Sequence, residues 1–265
     1  MIDLPAWTPV ELTWMRALLG AVVLAWPTPT GNEGTTPLGV LRFVSFAPLV
    51  RHGRADRIHR IVAAGFIAGV ASPLPAIVLA GLMIAALTLH ISDGAVNHGY
   101  HLPTIAVSAY AAAETADWLN RTADLDWPTD AATPAAWAVM AVLAAYFVSG
   151  FSKVVNSGGD WPRRTANLQL AMHVKGMFRV APRSTSERVR DLAWRFPRVF
   201  AMGVSLGLFV EVLAPLGLLH PTGLFVVGVA LIGLHVANGI VLDLPFTAYQ
   251  AVVASHLVLF SLHLG

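Results

Sequence analysis

The 265 residues contain no cysteine. That excludes a disulfide framework, a thiolate nucleophile, an iron–sulfur cluster and a CxxC redox pair supplied by this chain. Charge is scarce too: 12% of residues are Asp, Glu, Lys or Arg, about half the share in an ordinary soluble domain. Lysine is scarcer still. Of seventeen basic residues only Lys153 and Lys175 are lysines. What abounds is apolar: 56% of the chain is hydrophobic, gathered in long blocks, and the mean hydropathy is +0.65. This balance excludes a soluble globular enzyme, a disordered regulator and a nucleic-acid-binding domain.

A membrane-spanning helix needs about 20 mostly apolar residues. Leu74–Ile91, Pro134–Phe151, Thr222–Leu242 and Leu244–Leu264 meet this with almost no charge. Val199–Leu219 carries one acid, Glu211. Val10–Trp26 holds Glu11 and Arg16, and Leu102–Ala116 holds Glu114. Ile58–Ala71 is short, and Pro73 and Pro75 break the chain after it. The expected fold is therefore an all-α integral membrane protein, a bundle of about eight transmembrane helices. It is expected to form one transmembrane domain over residues 1–265, with a surface helix or loop segment at about 156–198 and no soluble domain. The first helix does not read as a cleavable signal: it has no basic leader, and Trp14 and Arg16 interrupt its apolar run.

Fourteen of the seventeen basic residues lie in two segments. Arg42, Arg51, Arg54, Arg57 and Arg60 sit between the first two predicted spans, and nine more run from Arg163 to Arg198. With eight spans both segments face the same side. The opposite side receives Asp117, Asp124, Asp126 and Asp130 with Arg121 alone. The positive-inside rule then puts the basic face in the cytoplasm of a cell with a plasma membrane of this polarity. It also explains the pI of 9.3 by contact with anionic headgroups rather than nucleic acid. Ser184 and Glu187 have capping-box spacing and start an expected surface helix, with Trp194 and Phe196 at the interface.

Ionisable residues inside spans are costly and mark candidate sites. Here they are Arg16, His90, Glu114, Lys153, Glu211, His235 and His256. Arg16 is expected to pair with Glu11 or Glu211. Glu114 reads as solvated near a helix end, and His256 as interfacial. Lys153 reads as ending the fifth helix. A lysine there ordinarily snorkels to headgroups. Yet this chain uses arginine wherever a plain cation serves, and only a lysine can shed its proton when desolvated. Ser149 lies one turn back, and Gly150 permits close approach of a neighbour. His235 and Asn238 share a face of the seventh helix. With His98 in the polar turn Asp93–His101, they are expected to converge with Lys153 on the cytoplasmic side. Histidine pairs such as His90 with His235, or His98 with His101, are the haem candidates. No HxxxH, HExxH or CxxCH pattern appears, so no metal is expected.

The stretch Tyr146-Phe147-Val148-Ser149-Gly150-Phe151-Ser152-Lys153 with Trp161 after it, the turn Asn97-His98-Gly99-Tyr100-His101, the pair His235-Val236-Ala237-Asn238, and Met15-Arg16-Ala17-Leu18-Leu19-Gly20 come in a telling order. In that order they resemble the transmembrane domain of vitamin K-dependent gamma-carboxylase and its bacterial relatives, the horizontally transferred transmembrane (HTTM) proteins. The resemblance spans nearly the whole chain. It implies a multi-pass enzyme acting on a reduced quinone of the menaquinone or vitamin K type. In the carboxylase a lysine deprotonates the reduced quinone, oxygen adds, and a strong alkoxide base forms. The resemblance assigns catalysis to Lys153, His98 and His235, and substrate binding to Asn97, Asn238, Tyr146, Ser149, Trp161 and Arg16. Two other classes stay open: a non-catalytic quinone-, lipid- or pigment-binding subunit alongside other membrane subunits, and a haem-binding or transport protein.

Overall fold

The structure, a computed structural model, describes residues 9–25, 54–70, 72–92, 101–127, 133–161, 164, 188, 191–192, 195–242 and 246–262. Among these residues every regular element is helical and there is no strand. Eight helical rods follow one another: α1 (Pro9–Leu24), α2 (Arg54–Ala68), α3 (Leu74–Ser92), α4 (His101–Ala123), α5 (Thr133–Ser157), α6 (Pro197–Leu213), α7 (Pro221–Leu242) and α8. The last begins at Thr247–Val253, continues through a π-helical stretch Ala254–Val258 and closes at Leu259–Leu262. A 3₁₀ turn, Ala214–Leu219, joins α6 to α7.

Three of these rods, Thr133–Ser157, Pro197–Leu219 and Pro221–Ile240, are long and apolar enough to cross a membrane. Thr13–Leu24, Leu74–Thr88 and Thr247–Leu262 are shorter apolar helices. The expected surface segment falls almost wholly outside the described residues, as do the capping pair Ser184 and Glu187, Trp194, Asn97, His98 and most of the basic residues between α1 and α2 and between α5 and α6.

The chain divides into two compact units, Met1–Val142 and Leu143–Gly265. In the first, α2 ends in a Schellman motif. Gly69 adopts φ 66°, its N–H reaches the Phe66 carbonyl, and the Val70 N–H reaches Gly65. Only glycine takes this left-handed turn at no steric cost. The core is built from Leu19 and Val23 of α1, Ala63 and Phe66 of α2, Leu79 of α3, and Val107 and Tyr110 of α4, all buried. Phe66 meets Tyr110 edge to face at 5.5 Å, the favoured aromatic geometry. His59 is buried, with Nε2 2.9 Å from the Val23 carbonyl. That carbonyl lies in the last turn of α1, where it has no intrahelical donor.

Arg16 and Glu114 fix this unit differently from expectation. The partner of Arg16 is Glu114, with Nη2 2.8 Å from Oε1; Glu211 is taken by Lys153, and the side chain of Glu11 lies outside the described residues. Arg16 Nε donates to the Phe66 carbonyl at 2.5 Å, and its guanidinium stands 4.8 Å from the Phe66 ring centroid. Glu114 is not solvated. It is 4% exposed and accepts from Ser72 Oγ at 2.7 Å. The helix that carries it runs to Ala123, seven residues beyond the expected end at Ala116, so Glu114 stands inside α4 rather than at its end.

In the second unit glycines stand where neighbouring helices approach. A Cβ on Gly207 of α6 would fall 2.7 Å from Leu234 Cδ1 of α7, and one on Gly228 of α7 would fall 2.9 Å from Val258 Cγ2 of α8. Small residues at such crossings let helices of apolar surface pack by close contact. His256 is not interfacial. It is fully buried, with Nδ1 2.8 Å from Ser255 Oγ and 3.1 Å from the Val252 carbonyl.

Candidate functional site

One face of α5 organises the site. Tyr146, Gly150, Lys153 and Ser157 recur at intervals of four, three and four, the spacing of a single helical face. Tyr146, Gly150 and Ser157 are buried on it, and Lys153 is partly so. The helix runs past Lys153 to Ser157 rather than ending at the lysine. It closes in a second Schellman motif, with Gly158 and Gly159 at φ 62° and 79° and their N–H groups on Val155 and Val154. Lys153 is therefore held by helical backbone on both sides and does not hang from a frayed end.

Two contacts leave this face. At one end Tyr146 Oη lies 2.5 Å from Nε2 of His235 on α7. His235 is 5% exposed and ringed by aromatics: Phe246 at 5.1 Å and Tyr249 at 5.0 Å, centroid to centroid, with Tyr146 at 5.6 Å. Its second nitrogen, Nδ1, is buried and has no hydrogen-bond partner among the described residues. In the tautomer in which the tyrosine donates to Nε2, the ring hydrogen sits on Nδ1 as an unused donor. Leaving such a group unpaired costs about 1–3 kcal/mol, so the position favours a ligand that supplies the missing partner.

Two turns along α5, Lys153 Nζ lies 2.5 Å from Oε2 of Glu211 on α6. The acid is buried, while the lysine side chain is 32% exposed. Gly150 makes this pairing possible. A Cβ there would fall 2.8 Å from Glu211 Cβ and 3.0 Å from the Val212 backbone nitrogen. Gly150→Ala is expected to cost about 1–3 kcal/mol through overpacking and to loosen the Lys153–Glu211 contact. Gly203→Ala on α6, with nothing within 4 Å of its Cβ position, serves as the control, gaining about 1 kcal/mol of helix propensity without overpacking. Thermal unfolding of the two purified variants measures the difference.

The remaining expected residues are placed as follows. Asn238 is half-buried one turn beyond His235. Ser149 is exposed at the edge of the α5 face, and Trp161 is half-buried in the turn after α5. Arg16 belongs to the first unit and its ion pair with Glu114. Asn97 and His98 lie outside the described residues. Among the described residues no three His, Asp or Glu side chains cluster as metal ligands.

Glu211, Phe246 and Tyr249 were missed as parts of this site. Sequence reading marks Glu211 as an ionisable residue within an apolar run and offers Arg16 as its partner, whereas the structure pairs it with Lys153. The aromatics lie beyond the end of α7 at Leu242, so no helical periodicity links them to His235.

No family model, no curated protein and no solved structure matches the chain. The residues and their geometry carry the functional argument.

Proposed function

We propose that this chain is a multi-pass plasma-membrane enzyme of the gamma-carboxylase-like HTTM class, acting on a reduced quinone or a similar lipophilic hydroxyl compound. The observation that carries this reading is the buried Tyr146–His235 pair, with His235 Nδ1 unpartnered among the described residues and Tyr146 on the same α5 face as Lys153. A planar aromatic substrate suits the rings of Tyr146, Phe246 and Tyr249. His235 Nδ1 supplies a directed hydrogen bond to a substrate oxygen, and Lys153 supplies an amine able to move a proton. Apolar surroundings keep water from competing for that proton.

The membrane assignment draws support from the surface of α6. Val199, Met202, Leu206 and Phe209 form a stripe along one side, between 61% and 72% exposed. A stripe of this kind in water is an aggregation liability, whereas against lipid it is the ordinary condition of a spanning helix. Fourteen basic residues concentrated in two segments support a cytoplasmic side for those segments, against anionic headgroups.

A second reading has its own support. Glu211 already neutralises Lys153, as suits a quinone- or lipid-binding subunit that performs no chemistry. The two readings separate experimentally. The purified chain is reconstituted in lipid nanodiscs, its co-purifying small molecules are identified by mass spectrometry, and consumption of a reduced naphthohydroquinone is followed by absorbance. Turnover by the single chain supports the enzyme. A bound quinone without turnover supports the binding subunit, and neither quinone nor turnover removes both.

A further inference from the structure

Among the described residues two acid–base pairs join different helices, and they differ in one chemical respect. Arg16–Glu114 uses a guanidinium that does not give up a proton. Lys153–Glu211 uses an ammonium that can. The lysine pair is also asymmetric. The glutamate side chain is buried, with its Cβ close to Gly150 of α5, and the amine end is one-third exposed. An ammonium in contact with a carboxylate is a poor base on its own, because the carboxylate favours the protonated amine. A carboxylate in apolar surroundings in turn gains by becoming neutral. Nζ and Oε2 are in hydrogen-bond contact, so transfer of a proton between them needs no movement of either helix.

We propose that Glu211 is the positioning residue that receives the proton in this site, with Lys153 as the relay. The inference rests on the quinol reading above. Lys153 takes a proton from a substrate hydroxyl while it hands one of its own to Glu211. The substrate O–H bond breaks and an N–H bond forms on Lys153. A second N–H bond of Lys153 breaks and an O–H bond forms on Glu211 Oε2. The site begins with an ammonium and a carboxylate and ends with an ammonium, a neutral carboxylic acid and a substrate oxyanion. Net charge is unchanged, and the new anion stays beside the ammonium that stabilises it. This accounts for a lysine at a position where the chain elsewhere uses arginine, and for an acid within the apolar run of α6.

The test is infrared difference spectroscopy on the full chain in nanodiscs, with a short-chain reduced naphthohydroquinone as probe and absorbance reporting its anion. Before the probe is added, the wild type is expected to show no protonated-carboxyl band that Glu211→Gln removes. After addition such a band appears in the wild type together with the probe anion, and Glu211→Gln lacks the band. In that variant anion formation falls on the order of 100-fold, and Glu211→Asp restores part of both signals. Melting temperatures of the two variants report whether they fold, and the spectral band is a signature that a purely structural glutamate would not produce. A Glu211 band already present without probe overturns the proposal. Wild-type levels of anion in Glu211→Gln also overturn it and leave Lys153 as the base. If the wild type forms no anion at all, the quinol reading falls and the relay falls with it.

Discussion

Glu114→Ala is expected to destabilise the protein by about 3–5 kcal/mol, the usual cost of stranding one member of a buried ion pair. Glu114 is 4% exposed and Arg16 keeps 17% side-chain exposure. Removing the acid therefore leaves a guanidinium that can neither neutralise itself nor reach solvent freely. The Phe66 carbonyl and ring remain as its partners, and they stabilise the cation without cancelling its charge. Arg16→Met should cost a similar amount by leaving Glu114 with Ser72 alone. The double variant Arg16→Met/Glu114→Leu should be far less affected than the sum of the singles, because an apolar replacement of the whole pair removes the desolvation cost as well as the attraction. Thermal or denaturant unfolding of the detergent-solubilised variants closes the cycle. Strict additivity of the two single effects would show that the pair does not act as a unit.

On the proposed quinol chemistry, Lys153→Arg is expected to have the second large effect, on turnover rather than on folding. Arginine keeps a positive charge within reach of Glu211, so stability should change little. Turnover of a reduced naphthohydroquinone should fall by at least on the order of 100-fold, since a guanidinium cannot transfer the proton. Lys153→Ala should lose turnover equally but also strand the buried Glu211, so it confounds the two effects. Comparing melting curves with rates for both variants separates them. Full turnover by Lys153→Arg would mean that Lys153 serves only as a fixed charge.

Much of the architecture was legible in the chain itself. Apolar blocks, the proline break at Pro73 and Pro75, and the two basic segments lead to eight helical segments, and eight helical rods appear among the described residues. Their ends were less legible. The fifth helix reads as ending at Lys153 because polar residues follow, yet it continues to Ser157 and stops at Gly158 and Gly159. Polarity marks where apolar surroundings end, whereas the backbone stops where a left-handed residue is available to close it. The same difference explains Glu114, whose helix continues to Ala123 past the apolar run.

The candidate site divides along the same line. Lys153, Tyr146 and His235 stand out in the sequence by residue type and by their place in apolar runs. Composition and period by themselves determined a helical, charge-poor chain whose few ionisable groups inside apolar helices need partners, because a lone charge there is too costly to keep. Which partner each one takes was decided only by tertiary packing. Periodicity specifies a face within one helix and carries no information about the helix that covers it. The glycine at 150 lets α5 and α6 close to contact distance and so gives Lys153 to Glu211, while packing within each unit sets Tyr146 against His235 and Arg16 against Glu114.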